Sequence, residues 1–157
     1  MRKLNIGILA SHGGSNLQAI VDACKSEIII ATPVVVISNN SKSGALRRAK
    51  NEGIPYFHIS KSLYTDDYEV DDQITQKLLR YEVDLIVLAG YMKRLGELIM
   101  STFKDRIVNV HPSLLPKFGG KGMYGIKIHE SGCPVSPDDR KIHILGSRIH
   151  RRMDKYM

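Results

Sequence analysis

The chain has 157 residues, a length that suits one domain with its own hydrophobic core. Two cysteines are too few for a disulfide framework, and no stretch approaches the roughly 18 apolar residues of a membrane span. The formal net charge is +7, but residues 140–157 hold six lysines and arginines against one acid. That concentration argues against a basic face for nucleic acid. From the cysteine usage, the lack of a long apolar stretch and this charge distribution, we expect a cytoplasmic protein with no nucleic-acid or membrane partner.

The first half of the chain alternates between strand-like and helix-like patterns. Leu4–Leu9 is an apolar run that predicts a first strand. A stripe at helical spacing follows, formed by Leu17, Ile20, Val21 and Cys24. Residues 34–37 predict a second, buried strand. The next helix is predicted at about residues 43–52, because Gly53 supplies a left-handed stop and Pro55 stands just beyond it.

The second half repeats this alternation. Residues 56–59 predict a third strand, and the helix after it carries an inner face of Val70, Ile74, Leu78 and Tyr81. Residues 83–88 are apolar on both sides, as expected of a central parallel strand covered by helices. A short helix is then indicated by Leu95, Leu98 and Ile99, and residues 107–110 predict the last strand.

Strands that alternate with helices at this spacing predict an α/β fold, with a doubly wound, mostly parallel sheet and helices on both faces. In such sheets ligands bind outside the carboxyl ends of the strands. Three loops follow strands on that side, at residues 11–16, at residues 90–95 and from His111 onward. We therefore expect all three loops to meet at one rim.

The first loop is rich in glycine and in hydrogen-bond donors. Gly13 and Gly14 allow the backbone to approach an anion, while Ser15, Asn16 and the N–H groups of the following helix direct donors at it. A phosphate cradle and a tight turn with a helix cap are equally compatible with this pattern. The glycine spacing excludes the dinucleotide-binding fingerprint.

The other two loops carry groups suited to an organic acid and to a carbonyl. Met92 offers adaptable apolar surface and Lys93 and Arg94 offer charge, although packing of the scaffold also explains an apolar residue there. Asn109 and His111 lie two positions apart in an extended strand, so they share a face. An amide donor beside a titratable ring suits a carbonyl under attack, whereas the structural alternative is a strand end with two exposed polar residues.

Three segments together carry a resemblance. They are Gly-Ser-Asn-Leu-Gln-Ala-Ile at 14–20, Val-Leu-Ala-Gly-Tyr-Met at 87–92 and Asn-Val-His-Pro-Ser-Leu-Leu-Pro-Lys-Phe at 109–118. Over about residues 4–130 the chain resembles the phosphoribosylglycinamide formyltransferases, the folate-dependent enzymes of purine synthesis. The His-Pro-Ser-Leu-Leu-Pro core of the last segment is shared across the folate formyltransferases, whereas the first segment, directly after the first strand, points to this branch.

The resemblance implies a role for each matching residue. Gly14, Ser15 and Asn16 would hold the phosphate of phosphoribosylglycinamide. The pocket for 10-formyltetrahydrofolate would be lined by Met92, Lys93, Arg94, Leu95 and Asn109. Asn109 and protonated His111 would stabilise the tetrahedral oxyanion formed when the amine attacks the formyl carbon. No metal is implied, the partners are these small molecules, and the expected state is a monomer or a homodimer.

The pattern of the family breaks in the last part of the chain. The aspartate-rich loop that supplies its third catalytic group has no counterpart here, and Asp67 stands where many relatives place a basic residue near the folate tail. We therefore expect a formyltransferase-like, Rossmann-type domain at 1–130 with its C-terminal strands missing, and a divergent basic segment at 131–157. A shifted reading frame or other truncation would explain that segment.

The missing carboxylate predicts low activity, because a buried acid normally orients a catalytic imidazole. Two alternatives stay open at this point. One is another folate-dependent formyl-transfer or hydrolase enzyme, and the other is an impaired remnant that binds phosphate or folate and transfers nothing.

Overall fold

The computed structural model describes residues 2–111 and 141–144. Its elements, in chain order, are β1 Leu4–Leu9, α1 Ser15–Lys25, β2 Ala31–Ser38, α2 Gly44–Asn51, β3 Tyr56–His58, α3 Asp67–Arg80, β4 Leu85–Leu88, α4 Glu97–Thr102, β5 Ile107–His111 and β6 Lys141–Ile144. Each strand and helix predicted from hydrophobic periodicity is present, with bounds that differ by a few residues. Among the described residues, no helix is long and apolar enough to cross a membrane.

The strands form one sheet in the order β3-β2-β1-β4-β5-β6. Strands β1 to β5 are parallel to their neighbours, and β6 runs antiparallel to β5. The chain moves outward from β1 to β3 on one side and returns to place β4 on the other side. The predicted doubly wound, mostly parallel sheet is confirmed, and the strand order reverses beside β1, where such sheets bind ligands.

Strand β6 corrects one expectation. Its backbone pairs with β5 in a register that sets Val108 opposite Ile144 and His111 opposite Lys141. The prediction that the C-terminal strands are missing is therefore wrong at these four residues. A segment this short carries too little periodicity to be recognised alone, and its pairing depends on a partner some thirty residues earlier in the chain.

The sheet separates two hydrophobic layers. The α1–α2 layer packs Leu17, Val21 and Cys24 of α1 and Ala45, Leu46 and Ala49 of α2 on one face of the sheet. The α3–α4 layer packs Ile59, Ile74, Leu78, Ile99 and Phe103 on the other face.

Strand β1 belongs to both layers because its side chains alternate. Ile6 and Ile8 face the α1–α2 layer, whereas Leu9 faces the α3–α4 layer. Ile8 and Leu9 are completely buried. A Cβ on Gly7 would lie 2.7 Å from Leu78, so the absence of a side chain there lets α3 approach β1 closely.

Local signals explain where the helices start and stop. The Ser43 hydroxyl caps α2 by accepting a hydrogen bond from the Leu46 N–H at 3.3 Å. Gly53 follows the end of α2 with a φ of 68°, which confirms the predicted left-handed stop. The Asp66 carboxylate caps α3 by accepting from the Glu69 N–H at 2.8 Å.

Candidate active site

Ser11 joins two of the three predicted loops at the carboxyl edge of the sheet. Its N–H donates to the Gly90 carbonyl at 3.1 Å, and its hydroxyl accepts from the Met92 N–H at 2.7 Å. The same hydroxyl donates to the Asn39 side chain at 2.5 Å, which adds the loop after β2. Ser11 is 1% exposed, so these hydrogen bonds are shielded from water. The loops after β1 and β4 therefore share one rim, as expected.

Strand β5 ends at the same edge. Asn109 pairs with Leu88, the last residue of β4, and with His143 on the other side. Its side chain is half-buried. The backbone of His111 closes β5 two residues further on. The His111 side chain and the loop beyond it lie outside what the structure describes, so the predicted meeting of Asn109 and His111 stays a prediction.

The glycines of the first loop serve a close contact with helix α2. Gly14 has a φ of 75°, and a Cβ there would lie 2.7 Å from the Ala45 Cα. A Cβ on Gly44 would in turn lie 2.7 Å from the Gly13 carbonyl oxygen. The tight-turn interpretation therefore explains Gly14 on packing grounds, because only glycine tolerates both the left-handed backbone and the contact.

Helix α1 also starts in this loop without a side-chain cap. Gly14 is the N-cap residue and supplies no capping hydrogen bond, and the first turn of α1 contains no acid. The N–H groups at a helix start attract an anion, because they are hydrogen-bond donors at the positive end of the helix dipole. Ser15 is exposed and Asn16 is half-buried beside them. The turn geometry thus does not conflict with the predicted anion cradle, which stays a prediction.

Sequence reasoning missed Arg48, which lies against this loop. Its Nε donates to the Gly13 carbonyl at 2.9 Å and its Nη1 donates to the Gln18 side chain at 3.4 Å. The Ala45 N–H of the same helix donates to the His12 carbonyl at 3.0 Å. No motif in the sequence signals these contacts, because they join positions some thirty residues apart.

The second loop borders a pocket of about 330 Å³ between the β3–α3 and β4–α4 connections. Lys93, Arg94 and Leu95 line this pocket, whereas Met92 does not and is 49% exposed. The other lining residues are Asn39, Ile59, Ser60, Lys61, Asp67, Val70, Asp71, Ile74, Tyr91, Gly96 and Ile99. The structure thus brings three of the four loop residues predicted for folate into one concave site.

Asp71 is a second residue that sequence reasoning missed. It is 6% exposed, and its carboxylate accepts hydrogen bonds from the N–H groups of Leu98 at 2.8 Å and Ile99 at 3.2 Å. It therefore caps α4 from the neighbouring helix α3, a role that the N-cap residue Gly96 cannot fill. A Cβ on Gly96 would lie 2.1 Å from this carboxylate, so the cap requires glycine at that position.

Tyr91 is half-buried in the wall of the pocket. Burial, with a further contribution from the nearby Asp71 carboxylate, raises the pKa of its phenol to about 12. The ring thus stays neutral under ordinary conditions. Asp67, at the mouth, is exposed and accepts a hydrogen bond from the Lys61 ammonium at 3.0 Å.

Within the two described stretches of chain, no group of three or more histidine, cysteine, aspartate or glutamate side chains is arranged to hold a metal ion.

The chain is similar to proteins of one known family. Residues 4–136 match the formyl transferase family. The chain is 44% identical over 119 residues to phosphoribosylglycinamide formyltransferase of Haemophilus influenzae, which covers 76% of this chain and 56% of the relative. It is 35% identical over 131 residues to the chloroplastic phosphoribosylglycinamide formyltransferase of Vigna unguiculata, covering 83% of this chain and 42% of the relative.

A solved structure shows the same fold. Glycinamide ribonucleotide transformylase 1 of Symbiobacterium toebii superposes with a TM-score of 0.73 at 38% identity, over 76% of this chain and 57% of that one. The chain spans about half the length of the bacterial and plant relatives it matches. These matches confirm the resemblance seen in the sequence motifs, and the chain belongs to the formyl transferase family.

Proposed function

We propose that this chain forms the core of a phosphoribosylglycinamide formyltransferase, which moves a formyl group from 10-formyltetrahydrofolate to the amine of phosphoribosylglycinamide. The observation that carries the proposal is the hydrogen bonding of Ser11, because it joins the loop suited to phosphate with the loop that borders the pocket. The family match and the names of the relatives support the reaction type.

The phosphate group is assigned to Gly14, Ser15 and Asn16. This assignment is supported by the uncapped start of α1, by the absence of acids from its first turn and by the nearby Arg48 guanidinium. Each of these features favours an anion over a neutral group.

The folate co-substrate is assigned to the loop of Met92, Lys93, Arg94 and Leu95, together with Asn109. Lys93 and Arg94 bring positive charge to the pocket, and Leu95 and the half-buried ring of Tyr91 bring apolar surface. A heteroaromatic acid needs both kinds of contact. The exposed thioether of Met92 would cover the ligand from outside the pocket.

The chemical step is assigned to Asn109 and His111. The substrate amine attacks the formyl carbon, and the carbonyl oxygen becomes an oxyanion that accepts hydrogen bonds from the Asn109 amide and the protonated His111 ring. The carbonyl then re-forms as the bond between the formyl carbon and the folate nitrogen breaks, and His111 gives its proton to that departing nitrogen. The proton released by the attacking amine restores the protonated ring. Placement of both residues near the end of β5, beside β4 and the Ser11 rim, supports this assignment.

Other properties of the protein follow from the same proposal. The reaction needs no metal, and the partners are the two small-molecule substrates. We propose a monomer or homodimer that works in the cytoplasm, with residues 1–130 as the formyltransferase-like domain and 131–157 as a divergent basic segment that contributes β6. Cell fractionation tests the location directly, and it matters because the Vigna unguiculata relative is named chloroplastic.

The test of the proposal is single-turnover formyl transfer with both substrates. Loss of one oxyanion donor typically lowers the rate by about 10²–10³, so Asn109→Ala is expected to fall in that range. Asn51→Ala removes an exposed amide at the end of α2 and serves as the matched control, with an unchanged rate. A rate for Asn109→Ala within about twofold of the unmodified chain removes Asn109 from the mechanism. Turnover of formylfolate without the amine would instead indicate a hydrolase.

A further inference from the structure

Arg48 reaches from α2 to the loop that precedes α1, and no motif or family match assigns it a role. Its guanidinium makes two directed contacts, from Nε to the Gly13 carbonyl at 2.9 Å and from Nη1 to the Gln18 side chain at 3.4 Å. The side chain is half-buried between the two helices. Arg48 of α2 therefore contacts the loop before α1 and the start of α1 through the N–H donors of one planar guanidinium.

The contact with Gly13 determines how the next peptide is oriented. The Gly13 carbonyl faces α2, because a Cβ on Gly44 would lie 2.7 Å from its oxygen. In a trans peptide the carbonyl and the following N–H point in opposite directions, so the Gly14 N–H is directed away from α2. The backbone at two consecutive glycines is the most flexible in a chain. The charge-assisted hydrogen bond from Arg48 to the Gly13 carbonyl holds the Gly13–Gly14 peptide in a single orientation.

The surroundings of this peptide also favour negative charge. Helices α1 and α2 both start here, and neither has an acid in its first turn. The positive end of the α1 dipole thus lies near the Arg48 guanidinium. The N–H groups of Ala45 and Leu46 at the start of α2 already donate to the His12 carbonyl and the Ser43 hydroxyl.

We propose that Arg48 is a positioning residue for the substrate phosphate, which orients the Gly13–Gly14 peptide so that its N–H faces the anion. The inference rests on the proposed function, since the anion is taken to be the phosphate of phosphoribosylglycinamide. Arg48 acts through the loop, so it affects this substrate and leaves the folate pocket on the other face of the sheet unchanged.

Arg47 offers a matched control. It precedes Arg48 on the same helix and is exposed, so Arg47→Ala and Arg48→Ala remove the same charge. With the full chain, Arg48→Ala is expected to raise the KM for phosphoribosylglycinamide about tenfold, with kcat and the KM for 10-formyltetrahydrofolate within about twofold. Arg48→Lys keeps the positive charge but lacks the several N–H donors of the guanidinium. Its KM for phosphoribosylglycinamide is therefore expected to lie between those of the unmodified chain and Arg48→Ala. Arg47→Ala changes nothing beyond about twofold.

A second readout does not require turnover. The Gly14 amide resonance, followed by NMR during titration with phosphoribosylglycinamide, reports the orientation of the peptide and the binding of the phosphate. Arg48→Ala is expected to move this resonance in the free protein, whereas Arg47→Ala is not. Thermal unfolding of each variant accompanies the titration, so that a variant that fails to fold is replaced by Arg48→Gln.

Three outcomes overturn the inference. Equal effects of Arg47→Ala and Arg48→Ala would mean that only net charge matters, and equal changes in the KM of both substrates would mean a general structural role. An unmoved Gly14 resonance in Arg48→Ala would show that Arg48 does not orient the loop. If the unmodified chain does not bind phosphoribosylglycinamide, the proposed function itself fails. That result differs from a failure of the inference about Arg48 alone, in which the unmodified chain and Arg48→Ala both bind the substrate normally.

Discussion

Removal of the Asp71 carboxylate is expected to destabilise the protein strongly. Asp71→Ala leaves the N–H groups of Leu98 and Ile99 without their acceptor, at distances of 2.8 Å and 3.2 Å in the intact protein. A buried donor without a partner costs about 1–3 kcal/mol, and loss of a helix cap costs about 0.5–2 kcal/mol. We therefore expect a decrease of about 2–4 kcal/mol in the free energy of unfolding, a large part of the roughly 5–15 kcal/mol of a typical domain.

The assay is equilibrium unfolding in urea. Asp72→Ala, one position later on α3, removes a carboxylate that accepts an exposed hydrogen bond from Gln76 at 3.3 Å, and it is expected to cost about 0.5 kcal/mol or less. A second, independent result is expected at Tyr91, because loss of the Asp71 charge lowers the raised pKa of the phenol. Similar unfolding energies for the two aspartate variants would refute the cap.

Two further predictions concern a glycine and a tyrosine. Gly14→Ala and Gly53→Ala both place alanine at a positive φ, but only the Cβ at Gly14 meets a backbone, at 2.7 Å from Ala45. Gly14→Ala is therefore expected to cost about 1–3 kcal/mol more than Gly53→Ala in urea unfolding, and equal costs would contradict the contact. The phenol of Tyr91 has a pKa of about 12 in the folded chain and of about 10.0 in the unfolded chain. Its contribution to the free energy of unfolding is therefore complete below pH 10 and is lost as the pH rises to about 12. Between about pH 9 and about pH 12, the free energy of unfolding of the unmodified chain should fall by up to about 2–3 kcal/mol relative to that of Tyr91→Phe. Parallel dependence of the two unfolding energies on pH would contradict the raised pKa.

Hydrophobic periodicity predicts most of this fold because each element buries a regular face. The stripe of Leu17, Val21 and Cys24 and that of Ile74 and Leu78 lie where the pattern puts them. The bounds are less well predicted. Strand β2 starts at Ala31, three residues before the apolar run at 34–37. Ala31 pairs with Leu4 through the backbone, and this pairing does not depend on the side chains that the periodicity records.

The candidate site is predicted unevenly for the same reason. Motifs locate the loops after β1 and β4, since they follow strands at the carboxyl edge. They do not reveal Arg48 or Asp71, whose contacts join separate elements and depend on the helix packing. They also do not explain Gly14 fully, because the contact that requires glycine is with Ala45, a residue of another helix.

The two hydrophobic layers divide the site between them. The loop proposed for the phosphate lies beside α1 and α2, whereas the pocket is lined mainly by α3 and by the connections that precede α3 and α4. The Ser11 hydrogen bonds bridge the two halves. With the proposed assignments, selectivity for each substrate can therefore change separately during evolution, since the two proposed sites are built on opposite faces of the sheet. Only the junction between them has to be preserved for both ligands to remain within reach of each other.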